Sequence, residues 1–408
     1  MTLARVAVVT RSLCALAGAA ALVLGAATPV RAADLSLAVL TSVQRDCTTY
    51  LQTRGTPEHI SAISLSIALR GAAPVNVTCG TARFGAGPPV TPHNLYQIGS
   101  NTKAFTAVAL LQMEAEGKLH LDDPLGRWLP QYPAWRTVTI RRLLNMTSGI
   151  PSYDNQPAMM HTWAGNPQRV FSAAELVAFV YPAHGHGPKP TTGWSYSNTN
   201  YILAQMIVER VSGHTYAQEI RRRFLDDPRL GLHETYYEAA SYPADVRARM
   251  VAGYFASNDT GNAELAPLFG RDVRDDNLSW AQGAGGIVAT PEDVTRWSRA
   301  LYRGPLLAPA QRREMMTLVA DRTGQPITGT SAENPRGFGL AVGQVRTPFA
   351  TVWYYEGETL GYRVLYAYFP AQDAVLVVAL NSQPNAREDQ IGKLLGGMFV
   401  TLHAAKVL

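Results

Sequence analysis

Sequence signals that would mark several common enzyme and binding classes are missing from this chain of 408 residues. It has no Gly-x-Ser-x-Gly elbow, which disfavours the α/β-hydrolase fold, and neither a Walker loop nor a His-Glu-x-x-His zinc motif. Its net charge is only +5, and no stripe of Lys and Arg favours nucleic-acid binding. His184 and His186 lack an evident third ligand, so we expect neither a metal nor a cofactor.

Residues 1–32 have the pattern of a secretory signal peptide. Arg5 and Arg11 precede an Ala-, Leu- and Val-rich run, and Val30-Arg31-Ala32 ends in the small residue that signal peptidase requires. We therefore expect cleavage after Ala32 and export to the periplasm or the medium; the alternative is a membrane anchor that is kept. Cys14 comes too early for a lipoprotein signal, and no later segment is long and apolar enough to span a bilayer.

The chain has only three cysteines, and two of them follow the predicted signal peptide. Removal of residues 1–32 takes away three arginines and no acid, which lowers the net charge from +5 to +2. In an exported protein, Cys47 and Cys79 could form a disulfide between an N-terminal helix and the second strand. Two buried free thiols fit the sequence equally well.

Extended patterns occur near both ends of the chain, with helical patterns between them. The predicted strands are Ile60–Arg70, Val75–Phe84, Gly337–Val342, Thr351–Tyr355, Gly361–Tyr368 and Ala374–Leu380, with a loop at 85–92 and a last helix at about 387–405. This order favours an α/β domain of the α+β type with a helical insertion. We expect a sheet subdomain at about 33–130 and 281–408, and a helical subdomain at about 131–280.

Ser100-Asn101-Thr102-Lys103 opens a predicted helix that reaches Glu116. Residues three apart share one face of a helix, so the Ser100 hydroxyl and the Lys103 amine can reach each other. A serine needs a base to become a nucleophile, and a lysine can serve when burial lowers its pKa. The helix N-terminus adds N–H groups for a negatively charged oxygen. Alone, the motif more often marks a capping serine beside a surface lysine.

Two further motifs carry groups suited to the same chemistry. In Tyr196-Ser197-Asn198 the tyrosine can relay a proton, and the Asn198 amide can hold a carbonyl group. From Tyr354 to Tyr362, glycines allow a substrate backbone to come close, and an N–H there could complete an oxyanion hole. The simpler interpretations are a helix-capping asparagine and a β-turn between two strands.

In this order and spacing, the three motifs resemble those of the serine β-lactamase and penicillin-binding superfamily. The resemblance is strongest to class C β-lactamases, D-alanyl-D-alanine carboxypeptidases and related esterases, and it covers nearly all of the chain after residue 32. Further matching blocks are Gln97-Ile98-Gly99, Gly117–Pro124, Ile140–Pro151, Gly283–Asp293 and Gly337–Leu340. The fold that it implies is an antiparallel sheet flanked by helices, with an inserted, mostly helical domain.

The resemblance also implies roles for individual residues. Ser100 matches the nucleophile, Lys103 its base, and Tyr196 the residue that carries the proton to the leaving group and activates the deacylating water. Asn198 matches the contact to the substrate amide. The backbone N–H groups of Ser100 and Glu358 would form the oxyanion hole.

The third motif departs from the family pattern. Tyr355-Glu356-Gly357 stands where β-lactamases have Lys-Thr-Gly and many relatives have His-x-Gly, which makes Tyr355 and Gly357 candidate substrate-binding residues. Tyr355 carries no charge at neutral pH, so the cation that normally faces a substrate carboxylate is missing. Arg363 is a candidate replacement, and strand alternation would point Glu356 away from the site. We therefore do not expect efficient turnover of carboxylate-bearing antibiotics.

The sequence thus predicts an exported serine hydrolase that cleaves an ester or amide bond of a small-molecule or peptide substrate through an acyl-Ser100 intermediate. The first alternative is a β-lactamase or D-alanyl-D-alanine carboxypeptidase. An alternative of another class is a penicillin-binding or sensor protein with low turnover. The natural substrate stays open, because insertions such as Ser152–Pro190 and Gly253–Asp276 shape the site. The oligomeric state stays open as well.

Overall fold

The computed structural model describes residues 35–182 and 187–408. The predicted signal peptide, and the pair His184 and His186, lie outside these residues. Within the described ranges, every helix is too short or too polar to cross a bilayer.

A large antiparallel sheet forms the centre of the structure. The strands, in chain order, are β1 (Ala62–Ala68), β2 (Val75–Arg83), β3 (Ala86–Pro89), β4 (Tyr96–Gln97), β5 (Thr235–Tyr236), β6 (Tyr254–Ala256), β7 (Val288–Ala289), β8 (Leu318–Ala320), β9 (Pro326–Ile327), β10 (Arg336–Phe338), β11 (Gly343–Arg346), β12 (Thr351–Thr359), β13 (Tyr362–Phe369), β14 (Ala374–Leu380) and β15 (Ser382–Pro384). Ten of them form the sheet in the order β3-β2-β1-β14-β13-β12-β11-β10-β8-β9. All neighbours pair antiparallel.

Helices cover both faces of this sheet and fill the middle of the chain. In chain order they are α1 (Leu37–Arg54), α2 (Thr102–Ala115), α3 (Leu125–Trp128), α4 (Ile140–Leu144), α5 (Pro157–Gly165), α6 (Ala173–Ala178), α7 (Thr199–Ser212), α8 (Tyr216–Ile220), α9 (Ala244–Arg249), α10 (Gln282–Gly285), α11 (Pro291–Arg303), α12 (Pro309–Met315) and α13 (Ile391–Ala404). The start of α11 follows from its sequence, because the Thr290 side chain accepts a hydrogen bond from the Asp293 N–H and Pro291 occupies the first turn. The predicted fold class, an antiparallel sheet flanked by helices, is confirmed.

The sheet separates two apolar cores, because successive residues of a strand point to opposite faces. Trp353 and Tyr355 of β12 belong to the core that includes Phe105 of α2 and Trp297 of α11, and we name this side the site face. Tyr354 belongs to the core that contains residues of α1 and α13, and this side is the rear face. Each β12 side chain is therefore assigned to one face by its position in the strand.

The middle of the chain holds two strands that the sequence did not predict. β5 pairs with β7, and β6 runs parallel to β15. These strands are two and three residues long, which is too short to leave an alternating pattern. The subdomain boundaries near residues 130 and 280 stay a prediction.

Two other assignments change at the level of single elements. The segment 85–92, expected as a loop, contains the short edge strand β3. The strand expected at Gly337–Val342 covers only the end of β10 and the turn into β11, since the chain turns where the Gly339 N–H donates to the Val342 carbonyl at 2.8 Å and Ala341 has a φ of +63°. An apolar run gave no sign of this turn.

A disulfide joins Cys47 of α1 to Cys79 of β2. The sequence left open whether these cysteines form a disulfide or stay as two buried free thiols, and the structure contains the disulfide. Cys47 is fully buried in the core of the rear face, so the disulfide fastens α1 to the sheet on the side opposite the candidate site.

Candidate active site

Ser100 lies in a 3-10 turn, Gly99–Asn101, that leads directly into α2. The predicted helix start at Ser100 is thus a tighter turn followed by the helix proper. The Asn101 side-chain amide donates to the carbonyl oxygens of Ile98, at 3.0 Å, and Val364, at 2.8 Å. The bond to Val364 holds the serine turn against β13, and the bond to Ile98 closes the turn itself.

Two glycines let β12 approach this turn closely. Gly99 has a φ of +50°, and a Cβ built there would lie 2.5 Å from the carbonyl oxygen of Glu358. A Cβ at Gly357 would lie 1.9 Å from the carbonyl oxygen of Ile98. Because both positions admit only hydrogen, the backbone at Glu358 comes to the start of α2, where the resemblance places an oxyanion hole.

The Ser100 hydroxyl is bonded by Lys103 and Tyr196, and we name these three residues the trio. Lys103 Nζ lies 2.9 Å from Ser100 Oγ, and the Tyr196 hydroxyl lies 2.7 Å from the same atom. The first contact is the expected i, i+3 pair on one helix face. The second joins residues 96 positions apart at a single oxygen atom.

Burial makes Lys103 a weak base near neutral pH. Its side chain is completely buried, and desolvation lowers its pKa to about 7, although the negative charge of Asp154 acts in the opposite direction. Lys103 Nζ also donates to the Ala284 carbonyl at 2.7 Å, and it lies 5.0 Å from the centre of the Tyr196 ring. A large share of Lys103 is therefore neutral at pH 7 and can accept a proton.

Tyr196 stays protonated over the same pH range. Burial raises its pKa above the usual value of a tyrosine, and the hydrogen bond to Ser100 only partly offsets this effect. The Tyr355 hydroxyl lies 3.4 Å from the Tyr196 hydroxyl, and burial likewise raises the pKa of Tyr355. The third motif thus places a neutral hydroxyl group beside the trio, on the site face.

Arg363 does not replace the missing cation. It pairs with Glu358 across β12 and β13, so its side chain lies on the rear face. There it is completely buried and binds Glu58 at 2.9 Å and the carboxylate of Asp389. Glu356 also lies on the rear face, as strand alternation predicted.

Asn198 has a partner that the sequence did not suggest. Its side-chain amide nitrogen donates to Asp154 at 2.8 Å, and its backbone N–H donates to Ser152 Oγ at 2.7 Å. Asn198 occupies the N-cap position of α7, as the simpler interpretation expected, but its side chain makes no capping bond to the helix. The contact to a substrate amide that the resemblance implies stays a prediction.

Two groups near the trio were not singled out in the sequence. The Ala284 carbonyl lies in the block Gly283–Asp293, which supported the resemblance but received no role. Asp154 lies in a 3-10 turn, Tyr153–Asn155, within the expected insertion. A carbonyl oxygen leaves no residue-type signal, and a single acid in an insertion has no motif, so only the folded chain reveals both.

A serine hydroxyl bonded by a buried lysine of low pKa and a tyrosine, at the start of a helix beside an antiparallel sheet, is the arrangement of a serine acyl hydrolase. The sequence pattern of the Beta-lactamase family matches residues 48–396. The chain therefore belongs to the Beta-lactamase family of serine hydrolases, as the resemblance predicted.

Individual relatives are distant and differ in what they act on. PbpX of Bacillus subtilis, named as a penicillin-binding protein, is 27% identical over 304 residues, which is 74% of this chain and 65% of PbpX. The teichoic acid D-alanine hydrolase of Staphylococcus aureus is 24% identical over 56% of this chain and 51% of its own length. This chain thus spans between half and two thirds of these relatives. The structure of a D-stereospecific amidohydrolase from a Streptomyces species is 27% identical, with a TM-score of 0.68 over 84% of this chain and 94% of its own.

Proposed function

We propose that the protein is an exported serine hydrolase that cleaves an ester or amide bond through an acyl-Ser100 intermediate. The observation that carries this proposal is the convergence of Lys103 Nζ and the Tyr196 hydroxyl on Ser100 Oγ, at 2.9 Å and 2.7 Å. Both contacts are within reach for proton transfer, and the depressed pKa of Lys103 gives the site a base near neutral pH.

In acylation, neutral Lys103 accepts the hydroxyl proton while Ser100 Oγ attacks the carbonyl carbon of the substrate. The carbonyl oxygen becomes negatively charged, and the N–H groups of Ser100 and Glu358 would stabilise it. Collapse of this intermediate breaks the bond between the carbonyl carbon and the leaving group. The proton passes from Lys103 through Tyr196 to the leaving oxygen or nitrogen.

In deacylation, water attacks the acyl carbon and the same groups act in reverse. Tyr196 takes a proton from the water as it passes its own proton to Lys103, and Lys103 then gives a proton to Ser100 Oγ as the bond between this oxygen and the acyl carbon breaks. Because the pKa of Tyr196 is raised, the tyrosine acts here as a relay and Lys103 holds the proton between steps.

The charges around the trio favour an acyl group without a carboxylate. Tyr355 is neutral, the Arg363 side chain is paired with carboxylates on the rear face, and the carboxylate of Asp154 lies close enough to offset part of the lowering of the Lys103 pKa. An ammonium group on the substrate would suit this negative charge better than an anion. Since two relatives are named for D-alanine hydrolysis and D-stereospecific amide hydrolysis, we propose D-aminoacyl esters or amides as the substrate class.

Export is proposed on two features. Residues 1–32 have the composition of a signal peptide. The disulfide between Cys47 and Cys79 is of the kind that persists in oxidising compartments. A mass measurement of the protein recovered from the periplasm or the medium would test the expected start at Ala33.

The first experiment compares turnover of p-nitrophenyl butyrate, D-alanine p-nitroanilide and a chromogenic cephalosporin, with Ser100→Ala as the blank. We expect turnover of the ester and the anilide to exceed that of the cephalosporin, and Ser100→Ala to keep less than about one per cent of each rate. Faster turnover of the cephalosporin would favour the β-lactamase alternative. Activity of Ser100→Ala above that level would remove Ser100 from the nucleophile role.

A second comparison addresses the substrate class alone. Acetylation of the amino group of D-alanine p-nitroanilide removes its positive charge, so we expect kcat/KM to fall several-fold for the wild type. The same acetylation should have a smaller effect on Asp154→Asn. Equal effects in the two proteins would reject the role of Asp154 while leaving the acyl-Ser100 mechanism in place.

A further inference from the structure

Three carboxylates meet on the rear face, behind the strand that borders the active site. Glu356 and Glu358 extend from β12, and Asp389 precedes α13. Their nearest oxygen atoms all lie within 4.8 Å of one another. We name Glu356, Glu358 and Asp389 the rear acidic cluster.

The two arginines near this cluster form ion pairs with carboxylates other than that of Glu356. Arg363 binds both Glu58 and Asp389, while Arg54 binds Glu58 at 2.9 Å and Glu388 at 3.1 Å. Glu58 thus has two arginine partners, Arg54 and Arg363. Asp389 has one of these, Arg363. No cationic side chain of the described chain forms an ion pair with Glu356.

The buried carboxylate of Glu356, which has no hydrogen-bond partner among the described residues, points to a ligand. Glu356 is 2% exposed, and neither of its carboxylate oxygens has a hydrogen-bond partner among the described residues. A buried carboxylate with no partner is strongly destabilising, and native proteins nearly always satisfy such a group. Its oxygens face Glu358 and Asp389, so a single bound cation would satisfy it.

The donor atoms identify the class of cation. The rear acidic cluster offers only oxygen, and the Gln383 side chain beside it adds a buried carbonyl oxygen without a partner. The Gln383 amide nitrogen donates to Glu358 at 3.4 Å, which keeps this side chain at the cluster. Oxygen-only sites favour hard cations such as Ca²⁺ and Mg²⁺ over zinc or copper.

Coordination chemistry favours calcium between these two. The three ligand oxygens lie within 4.8 Å of one another, which is inside the span of about 4.6–5.2 Å between opposite oxygens of a Ca²⁺ shell. Mg²⁺ demands near-ideal octahedral geometry, whereas Ca²⁺ accepts the irregular arrangement that a few carboxylates provide. Calcium also gives up its water molecules more readily, as a buried site requires.

We propose that the rear acidic cluster binds one Ca²⁺ ion through Glu356, Glu358 and Asp389. The bound ion joins β12 to the segment that precedes α13. Because the Glu358 backbone lies against Gly99, the ion also fixes the part of β12 that borders the serine turn. Its main effect is on stability, and it takes no part in the bond-breaking steps.

The test measures Ca²⁺ binding and thermal unfolding of the mature protein after treatment with EDTA. Equilibrium dialysis of the wild type against CaCl₂ should give one bound Ca²⁺ per chain. At a free Ca²⁺ concentration one hundred times the Kd, the ratio of folded to unfolded protein should rise by about a hundredfold, with a higher midpoint of unfolding. MgCl₂ should have a smaller effect.

Glu356→Gln tests the ligand set, and Glu333→Gln, at an exposed position, is its matched control. We expect Glu356→Gln to lose the Ca²⁺-dependent rise, yet to be at least as stable as the wild type in EDTA, since it removes a buried charge. Glu333→Gln should respond to Ca²⁺ as the wild type does. Absence of stoichiometric Ca²⁺ binding to the wild type would overturn the proposal and leave Glu356 as a buried carboxyl that carries a proton.

Discussion

The pH dependence of the reaction offers a direct test of Lys103 as the base, and Asp154→Asn is the informative perturbation. Burial lowers the pKa of Lys103 to about 7, and the negative charge of Asp154 counteracts part of this shift. If neutral Lys103 is required, kcat/KM should rise with pH and level off above about pH 8. At pH 6 roughly one Lys103 in eleven would be neutral, so the rate should be about a tenth of the plateau. A lysine with an ordinary pKa would be almost entirely protonated throughout this range.

Removal of the Asp154 charge should move the rising part of the pH profile, its acid limb, to lower pH. Without the carboxylate, the protonated form of Lys103 is less stable, so the pKa of Lys103 falls and the acid limb moves with it. The ratio of kcat/KM at pH 6 to that at pH 9 should therefore be larger for Asp154→Asn than for the wild type. This sign is independent of any loss in the absolute rate.

The assay follows p-nitrophenyl butyrate at the isosbestic wavelength of p-nitrophenol between pH 5 and 9, with Ser100→Ala subtracted at each pH. Asp226→Asn, at an exposed position, is the control and should keep the wild-type profile. A flat wild-type profile between pH 6 and 8 would refute Lys103 as the base. A limb that moves to higher pH in Asp154→Asn would refute the electrostatic reasoning.

Three further outcomes follow from packing and backbone geometry. Replacement of both disulfide cysteines by serine opens a loop of 32 residues and should lower the free energy of unfolding by roughly 3–4 kcal/mol in denaturant titrations, with reduced wild type as the comparison. Phe105→Ala removes a ring that stacks on that of Trp297 with the ring centres 3.5 Å apart, and it should lower the free energy of unfolding by about 3–5 kcal/mol. A decrease of the free energy of unfolding below about 1 kcal/mol would contradict this packing. Gly357→Ala brings a methyl group against the Ile98 carbonyl and should reduce kcat/KM at least a hundredfold in protein whose far-UV spectrum is unchanged.

Local spacing predicted part of the site, and the order of motifs predicted the rest of the trio. Ser100 and Lys103 meet because residues three apart share a helix face, and this holds in any fold. Tyr196 is 96 positions from Ser100, so only the resemblance to a family could place it there. The alternation of β12 also predicted correctly that Glu356 points away from Tyr355.

What the sequence could not predict depends on contacts between distant segments. The acceptor for Lys103 is a backbone carbonyl of Ala284, which has no side-chain signature. Arg363 was a candidate cation for the site, but its register opposite Glu358 places it on the rear face, and register is not encoded in one strand alone. The partner of Asn198 lies in an insertion where no pattern is expected.

The burial that makes Lys103 a base also sets how the free energy of unfolding varies with pH. In the unfolded chain Lys103 holds its proton up to about pH 10.5, while in the folded protein it loses the proton near pH 7. Between these values the unfolded chain binds more protons, so the contribution of this residue to stability rises with pH and is lost as the pH falls towards 7. The full difference is on the order of 5 kcal/mol. An inactive Lys103→Met protein should consequently resist urea better than the wild type at pH 6, and by a smaller margin at pH 9. The catalytic protein is, in this respect, the less stable of the two.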